Sequence, residues 1–206
     1  MAADPIIGAS DEELMSRLQS GEEAALASLM ARWEIPVKRF IFRLLGNVTE
    51  AEDLAQEVFC RIFTKRSSYR SGAKFSTWCY AIAANLAKNR LRWWQRHPVH
   101  SIDAWINAGG EIADESRGGA SAAQTALRQE QILAVQQAVT ALPLDLRTAL
   151  ILFEYEGQTT AEIAEALDCT PKAVENRLYR ARLLLKRALF SAHSVAAGRA
   201  SRSLVG

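Results

Sequence analysis

Asn85, Lys88, Asn89, Arg92 and Arg96 share one stretch, Lys74 to Arg96, whose apolar positions recur at helical spacing. Amides offer paired donors and acceptors to base edges, and cations neutralise phosphates. Phe75, Trp78, Trp93 and Trp94 add flat surfaces of the kind on which unpaired bases stack. The window Arg61–Arg96 holds nine Lys or Arg and no Asp or Glu. Alone, such a helix has two readings, a nucleic-acid surface or a buried helix whose solvated side is basic. A second set, Lys172, Asn176, Tyr179 and Arg180, lies on one face of a later basic helix beside Glu175. A third is acidic: Asp53, Gln56 and Glu57 follow Glu50 and Glu52. Acids in a first helical turn favour the helix dipole, so this cluster serves either the helix or a basic partner. No Ser or Cys nucleophile with a plausible His partner stands out, nor does a metal-ligand cluster or an acid pair in a basic cleft. His97 and His100 are too few for zinc. The residues read as binding groups, with no catalytic set, no metal and no cofactor.

These side chains need helices to hold them. Ser10 with Glu13 forms a capping box for a short helix to about Leu18. Glu22 to Leu45 keeps helical period around Pro36, which implies two helices or one kinked helix. Thr49 to Glu52 reads as a second capping box, opening a helix to about Lys65. Residues 67–72 form a loop, and the basic aromatic helix ends near Pro98. Residues 10–96 thus predict one compact helical domain.

From residue 97 to 121 the chain turns glycine-rich and loses apolar period, which predicts a linker with Trp105 and Ile106 as its bulky residues. Periodicity returns over Ala122–Ala141 and after Pro143. Thr159 with Glu162 caps a short helix, Asp168-Cys169-Thr170 turns the chain, and Pro171 opens a longer one. Ile163, Leu167, Val174, Leu178 and Leu185 can pack those last two helices as a helix-turn-helix within residues 122–190. The major groove accepts such a helix. Six bases and one acid lie between Lys172 and Arg187. The Ala/Ser/Gly-rich tail, 191–206, reads as disordered.

The 206 residues are 49% hydrophobic and 23% charged, a globular composition with a formal net charge of +2. No apolar run approaches a membrane span, and MAADPIIGAS lacks the features of a secretory signal, so a cytoplasmic location is expected. Cys60, Cys79 and Cys169 then read as buried free thiols.

Taken in order, DLAQEVFCRIF (Asp53–Phe63), KFSTWCYAIAANLAKNRLR and ALPLDLRTALILFEYEGQTTAEIAEALDCTPKAVENRLYRARLLLK resemble the extracytoplasmic-function group of bacterial σ70-type sigma factors. The resemblance spans residues 10–190. It implies an all-α chain of two small helical domains joined by a linker. It implies an alternative sigma factor that joins RNA polymerase core and directs initiation at promoters with −10 and −35 elements. Asp53, Gln56 and Glu57 match positions that dock on the β′ clamp. Asn85 matches a position that holds a flipped −10 base, with Lys88, Asn89 and Arg92 near it. Lys65, Tyr69 and Trp78 lie where the family builds its −10 pocket and its core, Trp78 on the core side. Lys172, Glu175, Asn176, Tyr179 and Arg180 fall at −35 contact positions. Glu175 is acidic where a base is common. Further implied partners are the β flap and an anti-sigma factor, with the free chain a monomer and no membrane insertion.

Three other readings compete. A regulator with a C-terminal helix-turn-helix would carry an α/β sensor domain, and residues 1–120 show no strand alternation or phosphate loop. A nucleic-acid enzyme lacks its catalytic set. An adaptor that binds polymerase without initiating differs only in activity.

Overall fold

The computed structural model describes residues 8–97 and 122–203, with side chains at 8–97, 129 and 131–190. The described residues form eight α-helices and one short 3-10 turn, without strands. The expected linker lies outside them except for His97, as do Trp105 and Ile106.

Helix α1, Asp11–Gln19, starts with the expected reciprocal Ser10–Glu13 box and buries Leu14, Met15 and Leu18. Helix α2, Ala24–Leu45, is continuous through Pro36. Proline there removes one i→i−4 bond. The helix persists because Leu29, Val37, Phe40, Ile41 and Leu44 are all buried on one stripe. Gly46, at φ 71°, ends it in the left-handed conformation that glycine adopts without Cβ strain.

Helix α3 runs from Val48 to Thr64, and its cap is Asn47, whose side-chain oxygen accepts the Glu50 N–H at 3.0 Å. The expected Thr49 box is therefore replaced by a cap two residues earlier. Glu50 also forms an ion pair with Arg90. Helix α4, Phe75–Arg96, follows Lys74, which cannot cap with its side chain. The Glu12 carboxylate of α1 does so from outside, accepting the Phe75 N–H at 2.9 Å. Trp33 and Phe40 of α2 meet Phe75 and Tyr80 of α4 at ring separations of 4.9–5.7 Å.

The second domain comprises α5 (Ala122–Thr140), α6 (Leu144–Glu154), α7 (Thr160–Ala166) and α8 (Pro171–Ser203). Thr159 and Glu162 form the capping box of α7, and Asp168 turns the chain at φ 49°. Thr170 accepts the Ala173 N–H at 3.2 Å and starts α8. Ile163, Val174 and Leu178 are buried between α7 and α8, with Leu167 and Leu185 packed against them. The α8 backbone stays helical to Ser203, consistent with the helix propensity of Ala192, Ala196, Ala197 and Ala200.

The two domains touch, α4 against α7 and α2 against α5 and α6. Lys74 pairs with Glu162 at 2.8 Å, and Arg43 with Glu156 at 3.1 Å. All three cysteines are free. Cys79 is buried and Cys169 half-buried, but Cys60 is exposed because it lies on the outer side of α3.

Candidate nucleic-acid and polymerase interfaces

Helix α4 sorts its polar residues by direction. Asn85, Asn89, Arg92, Trp93 and Arg96 are exposed. Arg90 turns back to Glu50 and ties α4 to α3. Lys88 is half-exposed, 3.7 Å from the Asp145 carboxylate of the second domain. The result is a stripe of two amides and two guanidinium groups, with an indole beside it. The paired tryptophans divide. Trp94 is buried, while Trp93 is 40% exposed and stacks on His97 at 4.7 Å and 25°.

Lys65 is exposed at the end of α3. Tyr69, expected where the family builds its −10 pocket and its core, faces inward. It is only 5% exposed, its hydroxyl donates to the Ala73 carbonyl, and its ring packs edge-on to Trp78 at 5.2 Å. Burial pushes its phenol up to about 12, with the Glu12 and Asp11 charges adding to the shift. Tyr69 braces the loop before α4 and presents no free face. Trp78 is half-buried against Tyr69 and Phe75, as its core assignment required.

The acids of α3 also divide. Glu50 is committed to Arg90. Asp53 and Gln56 are exposed, and Glu57 is half-buried with Arg61 at 2.9 Å. Asp53 and Gln56 therefore form the outward part of the cluster.

On α8, Lys172, Glu175, Asn176, Tyr179 and Arg180 are all exposed, Tyr179 at 70%. Lys172 pairs with Glu175 at 2.8 Å, which offsets the acid on this face. Two other bases are used internally. Arg177 points at the Cys169 sulfur, and Arg182 holds Glu154 at 2.7 Å. The turn and caps thus present one helix with Asn176, Tyr179 and Arg180 outward and Val174 and Leu178 inward, the layout a major-groove reader needs.

Two family models match, Sigma-70 region 2 over residues 29–96 and Sigma-70 region 4 over residues 132–185. The RNA polymerase sigma-H factor of Pseudomonas aeruginosa is 33% identical over 180 residues, covering 87% of this chain and 93% of that protein. The ECF RNA polymerase sigma factor SigW of Bacillus subtilis is 31% identical over 85% of this chain and 94% of its own length. The chain belongs to the extracytoplasmic-function sigma factors. It is a transcription initiation factor whose α4 lies in region 2 and whose α7–α8 pair lies in region 4. The fold of this sigma factor is similar to that of CnrH solved with the cytosolic domain of CnrY, at a TM-score of 0.62 and 22% identity over 88% of this chain and 97% of that one. It is also similar to the sigma factor RpoE of Bartonella quintana solved with the anti-sigma factor NepR, at 0.61 and 21% over 79% and 95%.

Sequence reasoning missed three residues of this sigma factor: Arg147, Glu156 and Gln158. Each is polar, and each lies where the domains meet. A signal existed for Arg147, a lone cation within the apolar run Leu146–Phe153. The Arg147 guanidinium donates to the carbonyls of Thr140, Leu142 and, across the domain boundary, Leu44. Burial lowers its pKa from the usual arginine value. No helix among the described residues is long and apolar enough to cross a membrane.

Proposed function

We propose that this sigma factor binds RNA polymerase core in the cytoplasm through Asp53, Gln56 and Glu57 on the β′ clamp, with its C-terminal domain on the β flap. In this reading residues 10–96 open and read the −10 element, and residues 122–190 read the −35 element. The observation that carries it is the pairing, in one chain, of two exposed reading faces of different type. Asn85, Asn89 and Arg92 suit extruded bases and their phosphates, and Asn176 and Arg180 suit duplex edges. Base capture on α4 favours DNA only once it is melted, so binding energy shifts the duplex toward the open state. An anti-sigma factor is a further partner, supported by the complex in which the similar RpoE fold was solved.

Run-off transcription with sigma-free polymerase core and a promoter library tests the whole reading. Promoter-dependent product is expected. Absence of product, together with no co-purification with core, overturns it.

Two variants test its parts. Asp53→Arg reverses charge on an exposed position and is expected to weaken core binding about tenfold with folding unchanged, read by fluorescence anisotropy of the labelled chain titrated with core. Arg180→Ala is expected to cost ~1–3 kcal/mol at the −35 element, the range for a bidentate base contact. It should flatten sequence preference at one −35 position, read by competition among promoter variants. A uniform loss across all of them would instead assign Arg180 to phosphate.

A further inference from the structure

Between α3 and α4 the chain runs from Lys65 to Lys74 through the short 3-10 turn Arg66–Ser68 and through Gly72, at φ 84°. The backbone bonds made within this loop are local. Ser68 and Tyr69 donate to the carbonyls of Lys65 and Arg66, and Ala73 donates to that of Arg70. A stretch held by such bonds alone samples many conformations.

Helix α1 supplies the longer-range hold. The Gln19 side-chain amide donates to the Arg66 carbonyl and to the Tyr69 carbonyl, both at 2.8 Å. Both of its hydrogens are thus spent across the 3-10 turn. Glu12 of the same helix accepts the Phe75 N–H at 2.9 Å, where the loop ends. The helix itself is anchored. Leu14, Met15 and Leu18 are buried, and Asp11 accepts from the Trp33 indole at 2.8 Å and pairs with Arg32 at 2.9 Å. One fixed helix therefore holds the loop at both ends.

This hold decides which loop groups face outward. Tyr69 is fixed through its carbonyl by Gln19, through its hydroxyl by Ala73 and through its ring by Trp78. With Tyr69 turned in, its neighbours Ser68 and Arg70 are exposed, as are Lys65, Ser67 and Ser71. Neither Lys65 nor Arg70 makes a side-chain hydrogen bond or ion pair among the described residues. Two uncommitted cations among small hydroxyls suit a single strand, the cations meeting phosphates and the hydroxyls meeting base edges. Helix α1 ends before residue 29, where the region 2 match begins, so the family match assigns it no role.

We propose that Gln19 is a positioning residue for −10 reading: it tethers the Lys65–Lys74 loop in the form that receives the melted strand, so the strand need not order the loop as it binds. Gln19 acts through Arg66 and Tyr69 and touches no DNA. The reading half rests on the proposed assignment of residues 10–96 to the −10 element; the tether stands on geometry. Only melted DNA meets the loop in this way, so the effect falls on promoter opening and spares docking on core and duplex capture by the second domain.

The test needs variants that fold. Gln19 is exposed at the last position of α1, so replacing it empties no core site. Gln19→Met keeps the length and removes both donors. Gln19→Glu keeps the shape and sets a carboxylate against two carbonyl oxygens. Gln19→Lys returns a donor at similar reach. In the full chain, hydrogen exchange at the Ser68, Tyr69 and Ala73 amides should quicken about tenfold in Gln19→Met, and further in Gln19→Glu, with the central amides of α3 and α4 unchanged. With polymerase core, 2-aminopurine in the −10 element of a promoter recovered from the run-off library reports opening. At saturating holoenzyme, opening should be about fivefold slower for Gln19→Met, with weaker preference among −10 base variants, and within about twofold of the unaltered chain for Gln19→Lys. Affinities for core and for the closed promoter should not change. Unchanged exchange in both Gln19→Met and Gln19→Glu overturns the tether. Faster exchange with unchanged opening and base preference makes Gln19 a brace of the fold and overturns its part in reading. Slower opening matched by an equal loss of core affinity overturns it as well. If the unaltered chain opens no promoter, the −10 reading itself fails, and the exchange measurement still decides the tether.

Discussion

Replacing both Asn85 and Arg92 by Ala is expected to lower open-complex formation about 100-fold while leaving affinity for polymerase core unchanged. Both residues are exposed on α4, and neither forms a side-chain hydrogen bond or ion pair among the described residues. Truncation therefore removes no hydrogen bond or ion pair found among the described residues. Loss of one base contact and one phosphate or stacking contact costs ~1–3 kcal/mol each, and ~1.4 kcal/mol is tenfold. The readout is fluorescence of 2-aminopurine placed in the −10 element, in parallel with gel filtration on core. The acidic face of α3 is untouched, so core binding is the internal control. An equal fall in core binding would make Asn85 a structural residue and move base capture elsewhere on α4.

Phe40→Ala is expected to have the largest effect on stability, ~3–5 kcal/mol, the usual cost of emptying a fully buried aromatic site. Phe40 is 0% exposed and packs on Tyr80 at 4.9 Å. For a cooperative unit of this size the loss lowers Tm by about 10 °C, measurable by circular dichroism at 222 nm. Tyr80 also holds Glu156, so the cavity lies beneath the domain contact. Ile35→Ala is the matched control. Ile35 lies on the same helix but is 60% exposed, and its truncation should change stability by no more than about 0.5 kcal/mol.

Local signals were legible in the sequence wherever a few neighbouring residues decide the outcome. Ser10 with Glu13, Thr159 with Glu162 and Thr170-Pro171 placed three helix starts, because caps act within one turn. The alternation of Val174 and Leu178 with Asn176 and Tyr179 placed the buried and exposed faces of α8. Where two local signals competed, the pattern misled: Asn47 outcompetes Thr49 for α3. The burial of Tyr69 was illegible because it depends on Trp78, which arrives from another element. The contact between the domains was illegible for the same reason on a larger scale. Glu156 finds Arg43 across 113 positions, and no spacing rule reaches that far. The family resemblance supplied the roles of Asn85 and Asp53, which residue chemistry alone left open.

Helix α8 is 33 residues long, a rod of about 50 Å at ~1.5 Å per residue. The residues proposed to read the −35 element lie within its first three turns. Ser203 follows Arg180 by 23 positions, or ~35 Å farther along the axis. A fluorophore placed at Ser203 is thereby carried well away from a duplex seated on the proposed reading face, whereas one beside Lys172 would lie on that face.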